Sequence, residues 1–161
     1  MAQEINRLQN TASESFRNSK ESAAGIGAKN FTRPVAAETS TLTLAYIGDS
    51  FYELIVRTFA LKQFNGSAGE VSKNAKKYSN AAAQAEIARL IIEELSEEEL
   101  RVFKRGRNAK SISAPHTCTI SEYRIATGLE ALCGYLFLEE REERAIELVH
   151  KGIELYERAD G

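Results

Sequence analysis

Two acidic residues stand out by their surroundings. Asp49 follows Gly48 inside the apolar stretch LAYIGDSFYE, and Glu130 lies four residues before Gly134 inside TGLEALCGYLFL. Leu44, Ile47, Gly48, Phe51, Leu54 and Ile55 recur at the spacing of a helix with one buried face, and Asp49 sits at the edge of that stripe. A mid-helix glycine costs roughly 1 kcal/mol relative to alanine, so Gly48 is better explained by a second backbone or a ligand approaching at that level. Thr127, Glu130 and Gly134 repeat the arrangement, an acid accompanied by a small residue on one helical face. Two such helices packed closely would bring the carboxylates of Asp49 and Glu130 together. A pair of carboxylates suits a hydrated Mg²⁺, which keeps several waters, takes one or two protein carboxylates, and binds the oxygens of a substrate phosphate. Spacing alone leaves the bland alternative open, that both acids are solvated or ion-paired.

The elements that must position these residues follow from caps and periodicity. Ser40 or Thr41 caps the first long helix, which runs to about Phe64, where Asn65-Gly66-Ser67 signals a turn. Beyond it, Val71, Ala75 and Tyr78 form an inward face and Lys73, Lys76 and Lys77 a basic outer one. Ala88, Ile91, Ile92 and Leu95 continue the core spacing, and the run breaks into two helices at Ser96, which with Glu99 forms a capping box before Leu100 and Phe103. Arg101 to Lys110 holds five basic residues and no acid. Gly106 and Asn108 read there as the helix end, followed by a loop through Ser111, Pro115 and His116. Thr119 and Glu122 form another capping box, opening a helix from about Ile120 to Glu139 with Ile125, Leu129, Leu132 and Leu136 inward. A last helix, Glu142 to Arg158, is expected to bury Ile146, Val149, Ile153 and Tyr156. No stretch alternates as a strand does, so the expected fold class is all-α, a helical bundle.

A chain of 161 residues is long enough to bury one core without staples. Its formal charge of −2 means that any contact with nucleic acid must rest on local patches. Cys118 and Cys133 cannot make a disulfide framework, and a reduced thiol in a reducing compartment is the expectation for each. No apolar run approaches the ~20 residues of a membrane span, and no signal peptide is evident, so a soluble protein of the cytoplasm is expected. Residues 1–38 are polar and read as a flexible extension, with residues 39–161 as the folded domain. Acids at Glu4, Glu14 and Glu21 argue against a transit peptide, although the chloroplast stroma stays open if the source is a plant. His116 and Cys118 lack the second pair a zinc site needs, His150 reads as a surface or cap residue, and Glu93, Glu94 and Glu97 to Glu99 read as acids at a helix start.

The stretch LAYIGDSFYE resembles the signature helix of the ribonuclease III catalytic domain, and GRNAKS followed by TGLEALCGYLFL resembles its second motif. The resemblance covers Thr41 to Arg158 and is closest to the Mini-III branch, which lacks a double-stranded-RNA-binding domain. It implies a ribonuclease III-type endonuclease domain, with Asp49 and Glu130 as catalytic metal ligands for Mg²⁺. It further implies hydrolysis of phosphodiesters in double-stranded RNA by a homodimer, with precursor ribosomal RNA of the large subunit as substrate. Phe51 and Tyr52 are candidates for the dimer surface. RNA contacts would come from Lys73, Lys76, Lys77, Arg105, Arg107, Asn108 and Lys110. Ala45 and Thr127 stand where the full-length family has two further acids, a reduction shared with Mini-III. Glu53 also matches a family acid, with a structural ion pair as its expected role. Two other readings stay open at this level, a non-catalytic RNA-binding protein of the same fold and a helical nucleotide pyrophosphohydrolase using the glutamate-rich stretch.

Overall fold

The computed structural model describes residues 32–109 and 116–161. Among these, six α-helices form in the order α1 (Thr41–Gln63), α2 (Ala68–Ser79), α3 (Ala81–Ile91), α4 (Glu97–Asn108), α5 (Ile120–Leu138) and α6 (Glu142–Asp160), and no strand occurs. The all-α expectation is met. Side chains cap every start but that of α6: Ser40 accepts from the Thr43 amide, Asn80 from Ala83, and Ser96 and Thr119 form the capping boxes with Glu99 and Glu122. Ser67 and Glu70 make a third box, at the start of α2.

Helix α5 runs through the middle of the bundle, packed by α1, α4 and α3, while α2 leans on α1 and α6 on α3. One apolar core joins Tyr52, Ile55, Val56 and Phe59 of α1 to Ile87 and Ile91 of α3, Leu129, Leu132 and Leu136 of α5, and Leu148, Val149 and Ile153 of α6. A smaller cluster gathers Leu44, Ala45, Ala131 and Leu138 with Ala36, which lies in a short 3-10 turn, Ala36–Glu38, ahead of α1. No helix among the described residues is long and apolar enough to cross a membrane.

Several local expectations are corrected. The run from Val71 to Leu95 breaks not only near Ser96 but also at Asn80, whose side chain accepts from the Ala83 amide at 3.0 Å and donates to the Lys76 carbonyl at 3.1 Å. That one residue closes α2 and opens α3, which a continuous apolar pattern conceals. Leu54 is 60% exposed because the buried arc of α1 is turned toward Tyr52 and Val56. Likewise α6 buries Ala145 and Leu148 and leaves Ile146 exposed. The helix does end at Asn108, as expected, but Gly106 lies within its last turn for a packing reason, since a Cβ there would lie 2.7 Å from that of Ala131 and 2.9 Å from the Gly128 Cα. His150 is half-buried against Phe59, with ring centroids 5.2 Å apart.

Glu99 departs most from the sequence reading. Glu97 and Glu98 are exposed at the start of α4, but Glu99 is fully buried. Its carboxylate accepts from Arg141 at 2.9 Å, from Arg144 at 3.1 Å and from the Ser96 amide at 2.9 Å. Burial alone would raise its pKa, but the Arg144 and Ser96 hydrogen bonds and the two guanidinium charges hold it below the ordinary carboxylate value.

Candidate active site

Asp49 and Glu130 are brought together by the crossing of α1 and α5. A Cβ added at Gly48 would fall on the Glu130 carbonyl and lie 2.6 Å from the Gly134 nitrogen. One added at Gly134 would fall on the Leu44 carbonyl and lie 3.0 Å from the Gly48 nitrogen. The two backbones therefore touch where each helix has no side chain, and only glycine at both positions permits it. Asp49, next to one glycine, and Glu130, one turn from the other, project from the same crossing.

The floor beneath them is buried and largely apolar. Tyr52 is completely buried, its hydroxyl donating to the Tyr78 carbonyl at 2.8 Å, so it is a core residue and not part of an outer interface. Cys133 is buried beside it, its thiol pushed up to about 12 by burial and by the nearby Glu130 charge. Glu130 is half-buried on this floor. Desolvation, then the charge of Asp49, raise its carboxyl to about 8, while a hydrogen bond from Gln84 pulls the other way. Asp49 is more open to water, yet partial desolvation and then the charge of Glu53 hold its carboxyl above the ordinary value. Among the described residues neither acid forms an ion pair. Glu53, by contrast, pairs with Arg57 at 2.9 Å, the structural role expected of it.

Two neighbouring carboxylates, each raised and neither ion-paired among the described residues, are a donor set that a hydrated divalent ion would neutralise. Among the described residues no group of three or more His, Cys, Asp or Glu is placed to hold a metal. Ala45 is buried, and the Thr127 hydroxyl donates to the Tyr123 carbonyl at 2.9 Å, so neither replaces the missing acids.

The expected basic side chains stand on α2 and at the end of α4. Lys73, Lys76 and Lys77 are exposed on α2, with the Lys77 ammonium 5.5 Å from the centre of the Phe64 ring. Arg105, Arg107 and Asn108 stand on the last turn of α4 and not on a loop, because Gly106 between them is packed against α5. Lys110 lies outside the described residues. The end of α4 and the start of α5 enclose an open cleft of about 440 Å³ lined by Arg107, Asn108, Ser121 and Arg124. Two contributors, Gln84 and Arg124, were not legible as site residues. Gln84 sits in an alanine-rich run and reads as one polar residue on a helix, and Arg124 lies among mixed residues at a helix start. No spacing signal marks either one.

A model of the Ribonuclease III domain matches residues 42–141 of the chain. Mini-ribonuclease 3 of Clostridium tetani is 39% identical over 130 residues, which are 80% of this chain and 86% of that protein. Mini-ribonuclease 3 of Brevibacillus brevis is 41% identical over 119 residues, covering 74% of this chain and 89% of the relative. A crystal structure of a Fusobacterium nucleatum protein, 36% identical, superposes with a TM-score of 0.65 over 73% of this chain and 93% of that one. The glycine crossing falls within the matched span, as do both acids and the basic residues of α2 and α4. The chain belongs to the ribonuclease III family and is an endoribonuclease of the Mini-ribonuclease 3 type.

Proposed function

We propose that this endoribonuclease hydrolyses phosphodiesters of double-stranded RNA with Mg²⁺ held by Asp49 and Glu130. The observation that carries the reading is the pair of raised carboxylates at the crossing of α1 and α5, neither ion-paired among the described residues. A bound Mg²⁺ would supply an activated water and neutralise charge on the scissile phosphate. The protein's own part is to fix two ligands on rigid helices, to keep the floor apolar through Tyr52 and Cys133, and to hold the substrate backbone. Duplex RNA offers phosphates and 2′-hydroxyls across a shallow minor groove, and the exposed Lys73, Lys76, Lys77 and Arg105, with the half-buried Arg107, are suited to that backbone.

The working form is a homodimer. Ile47, Phe51, Leu54 and Leu61 follow one another at helical spacing along α1 outside the buried arc, the last two 60% and 57% exposed. Covering that strip with a second copy would give the two sites needed to cut both strands. The substrate in this reading is the large-subunit ribosomal RNA precursor, as the resemblance of the two motifs implies, and the place of action the cytoplasm.

The test is cleavage of a structured RNA duplex in Mg²⁺, beside Asp49→Asn and a chelator control. Strand scission by the parent, lost in both controls, is the expected result; duplex binding without scission by the parent would overturn the assignment.

A further inference from the structure

The cleft between the end of α4 and the start of α5 is set apart by its charge. Arg107, Asn108, Ile120, Ser121, Arg124 and Ile125 line it, with two guanidiniums and no acid. Two other open clefts, of about 460 and 510 Å³, each hold an acid beside a lysine, Glu70 in one and Glu157 in the other. Neither Arg107 nor Arg124 enters an ion pair among the described residues, whereas Arg57, Arg89, Arg141 and Arg144 all do. The Arg107 Nε donates to the Asn108 Oδ1 at 3.2 Å, which steadies the guanidinium and leaves its terminal N–H groups for another acceptor. Ser121 and Arg124 stand one turn apart on α5, so a hydroxyl and a guanidinium share one face. A concave site with two forked cations and no carboxylate fits the oxygens of a phosphodiester.

Packing ties this cleft to the acids. Gly106, next to Arg107, lies against Gly128 and Ala131, so the end of α4 rests on the turn of α5 that carries Glu130. Arg124 is on the same helix six residues before Glu130, a rise of about 9 Å along the axis. Helix-on-helix contact therefore holds both guanidiniums at a fixed separation from that acid. We infer that Arg107 and Arg124 together clamp one backbone phosphate of the strand that is cut, and so set which phosphodiester reaches Asp49 and Glu130. This rests on the reading of duplex RNA as substrate, and adds to it a role for Arg124 and a register for the bound strand. A lysine at either position would supply charge without the planar fork that fixes a phosphate in one orientation.

The experiment compares the full chain with Arg107→Ala, Arg124→Ala and the double variant. In chelator, each single variant is expected to bind an RNA duplex about tenfold more weakly at moderate salt. The double variant should lose less than the product of the two, because both side chains serve one phosphate. In Mg²⁺ the loss should fall mainly on KM and not on kcat. Arg124→Lys, which keeps the charge and removes the fork, should recover only part of the affinity. Replacing one linkage at a time by an uncharged methylphosphonate locates the phosphate: the parent should lose affinity at a linkage near the cut, and Arg124→Ala should be insensitive there. Cuts mapped on end-labelled strands should spread to neighbouring linkages in the double variant. The same methylphosphonate profile in parent and Arg124→Ala, fully multiplicative losses, or cuts that keep their position in the double variant would overturn the inference. So would a lowered unfolding temperature with reduced kcat and unchanged KM, the mark of a structural role. Should Arg124→Ala not fold, Arg124→Gln meets the same methylphosphonate test, and if neither folds the clamp falls. A parent that neither binds nor cuts duplex RNA would remove the proposed function along with the clamp, whereas cutting with an unaltered profile would remove the clamp alone.

Discussion

Two glutamates in this molecule are shielded from water, and the protein treats them in opposite ways. Glu99 lies in a run of acids at a helix start, is completely buried, and receives Arg141, Arg144 and the Ser96 amide; its carboxyl is held low. Glu130 stands on the central helix with another acid for a neighbour and one neutral amide for support; its carboxyl is raised to about 8. The first arrangement satisfies a buried charge internally and stabilises the native state. The second provides no ion-pair partner among the described residues, so the ionised form is disfavoured. Such a site costs stability in the free protein and is relieved only by something that arrives. A buried acid is thus informative about function by what its surroundings leave undone.

The comparison breaks most visibly in activity. Asp49→Asn removes one of the two carboxylates, and scission of duplex RNA is expected to fall by about 10²- to 10³-fold, read as initial rates at saturating Mg²⁺. Glu99→Gln should do the reverse. It leaves Arg141 and Arg144 facing a neutral amide, and thermal unfolding is expected to show a loss of about 2–3 kcal/mol, tempered by the partial exposure of both arginines. Cleavage per folded molecule should stay within about twofold of the parent. If Glu99→Gln abolished cleavage while remaining folded, the division into a structural and a functional glutamate would be wrong.

A finer distinction lies in pH. The Glu99 carboxyl is depressed in the folded state, so its contribution is fully present above the ordinary carboxylate pKa near 4.5 and is lost as pH falls through the folded value. The Glu130 carboxyl is raised, so the metal-free protein binds that proton more tightly than the unfolded chain. Stability from this group is present below pH 4.5 and is lost as pH rises toward 8. Glu130→Gln should therefore stabilise the metal-free protein at pH 8 by about 1–2 kcal/mol and have almost no effect at pH 4.5, measured by denaturant midpoints in chelator. Saturating Mg²⁺ should narrow that gap by stabilising the parent alone.

Sequence reading and structure agree where one local signal decides the outcome. Ser40, Ser96 and Thr119 fix helix starts through hydroxyls that reach the amide three residues on, and each lies where a cap was expected. Gly48 and Gly134 were legible for the same reason: a glycine in an apolar helix is costly unless a backbone passes there, and one does. What stayed hidden depends on partners remote in the chain. Glu99 could not be told from the exposed Glu97 and Glu98 because its arginines lie more than forty positions later. The rotation of α1 that exposes Leu54, and of α6 that exposes Ile146, is set by which neighbour each helix meets. Gly106 carried a true signal with two meanings, helix end or close approach, and only the packing against Ala131 and Gly128 separates them. In Gln84, neither residue type nor spacing announces that its amide joins two helices.

The same contrast extends to the cations. Arg141 and Arg144 are committed to Glu99, and Arg57 to Glu53, but Lys73, Lys76 and Lys77 form no ion pair with an acid among the described residues. Three exposed ammonium groups, Lys73 one turn before the adjacent Lys76 and Lys77, repel each other, a weak cost that a polyanion lying along α2 would turn into attraction. Lys73→Ala and Lys76→Ala are therefore expected to leave the unfolding temperature nearly unchanged, since neither side chain has an ion-pair partner among the described residues. Each should weaken duplex RNA binding by only about threefold at moderate salt, with the slope of log affinity against log salt falling by about one for each phosphate no longer neutralised. Arg57→Ala supplies the control, because its charge is already neutralised by Glu53: it should alter the salt slope little. An equal change in slope for Arg57→Ala and Lys76→Ala would mean that RNA answers to overall charge alone. It would then place no special contact on α2.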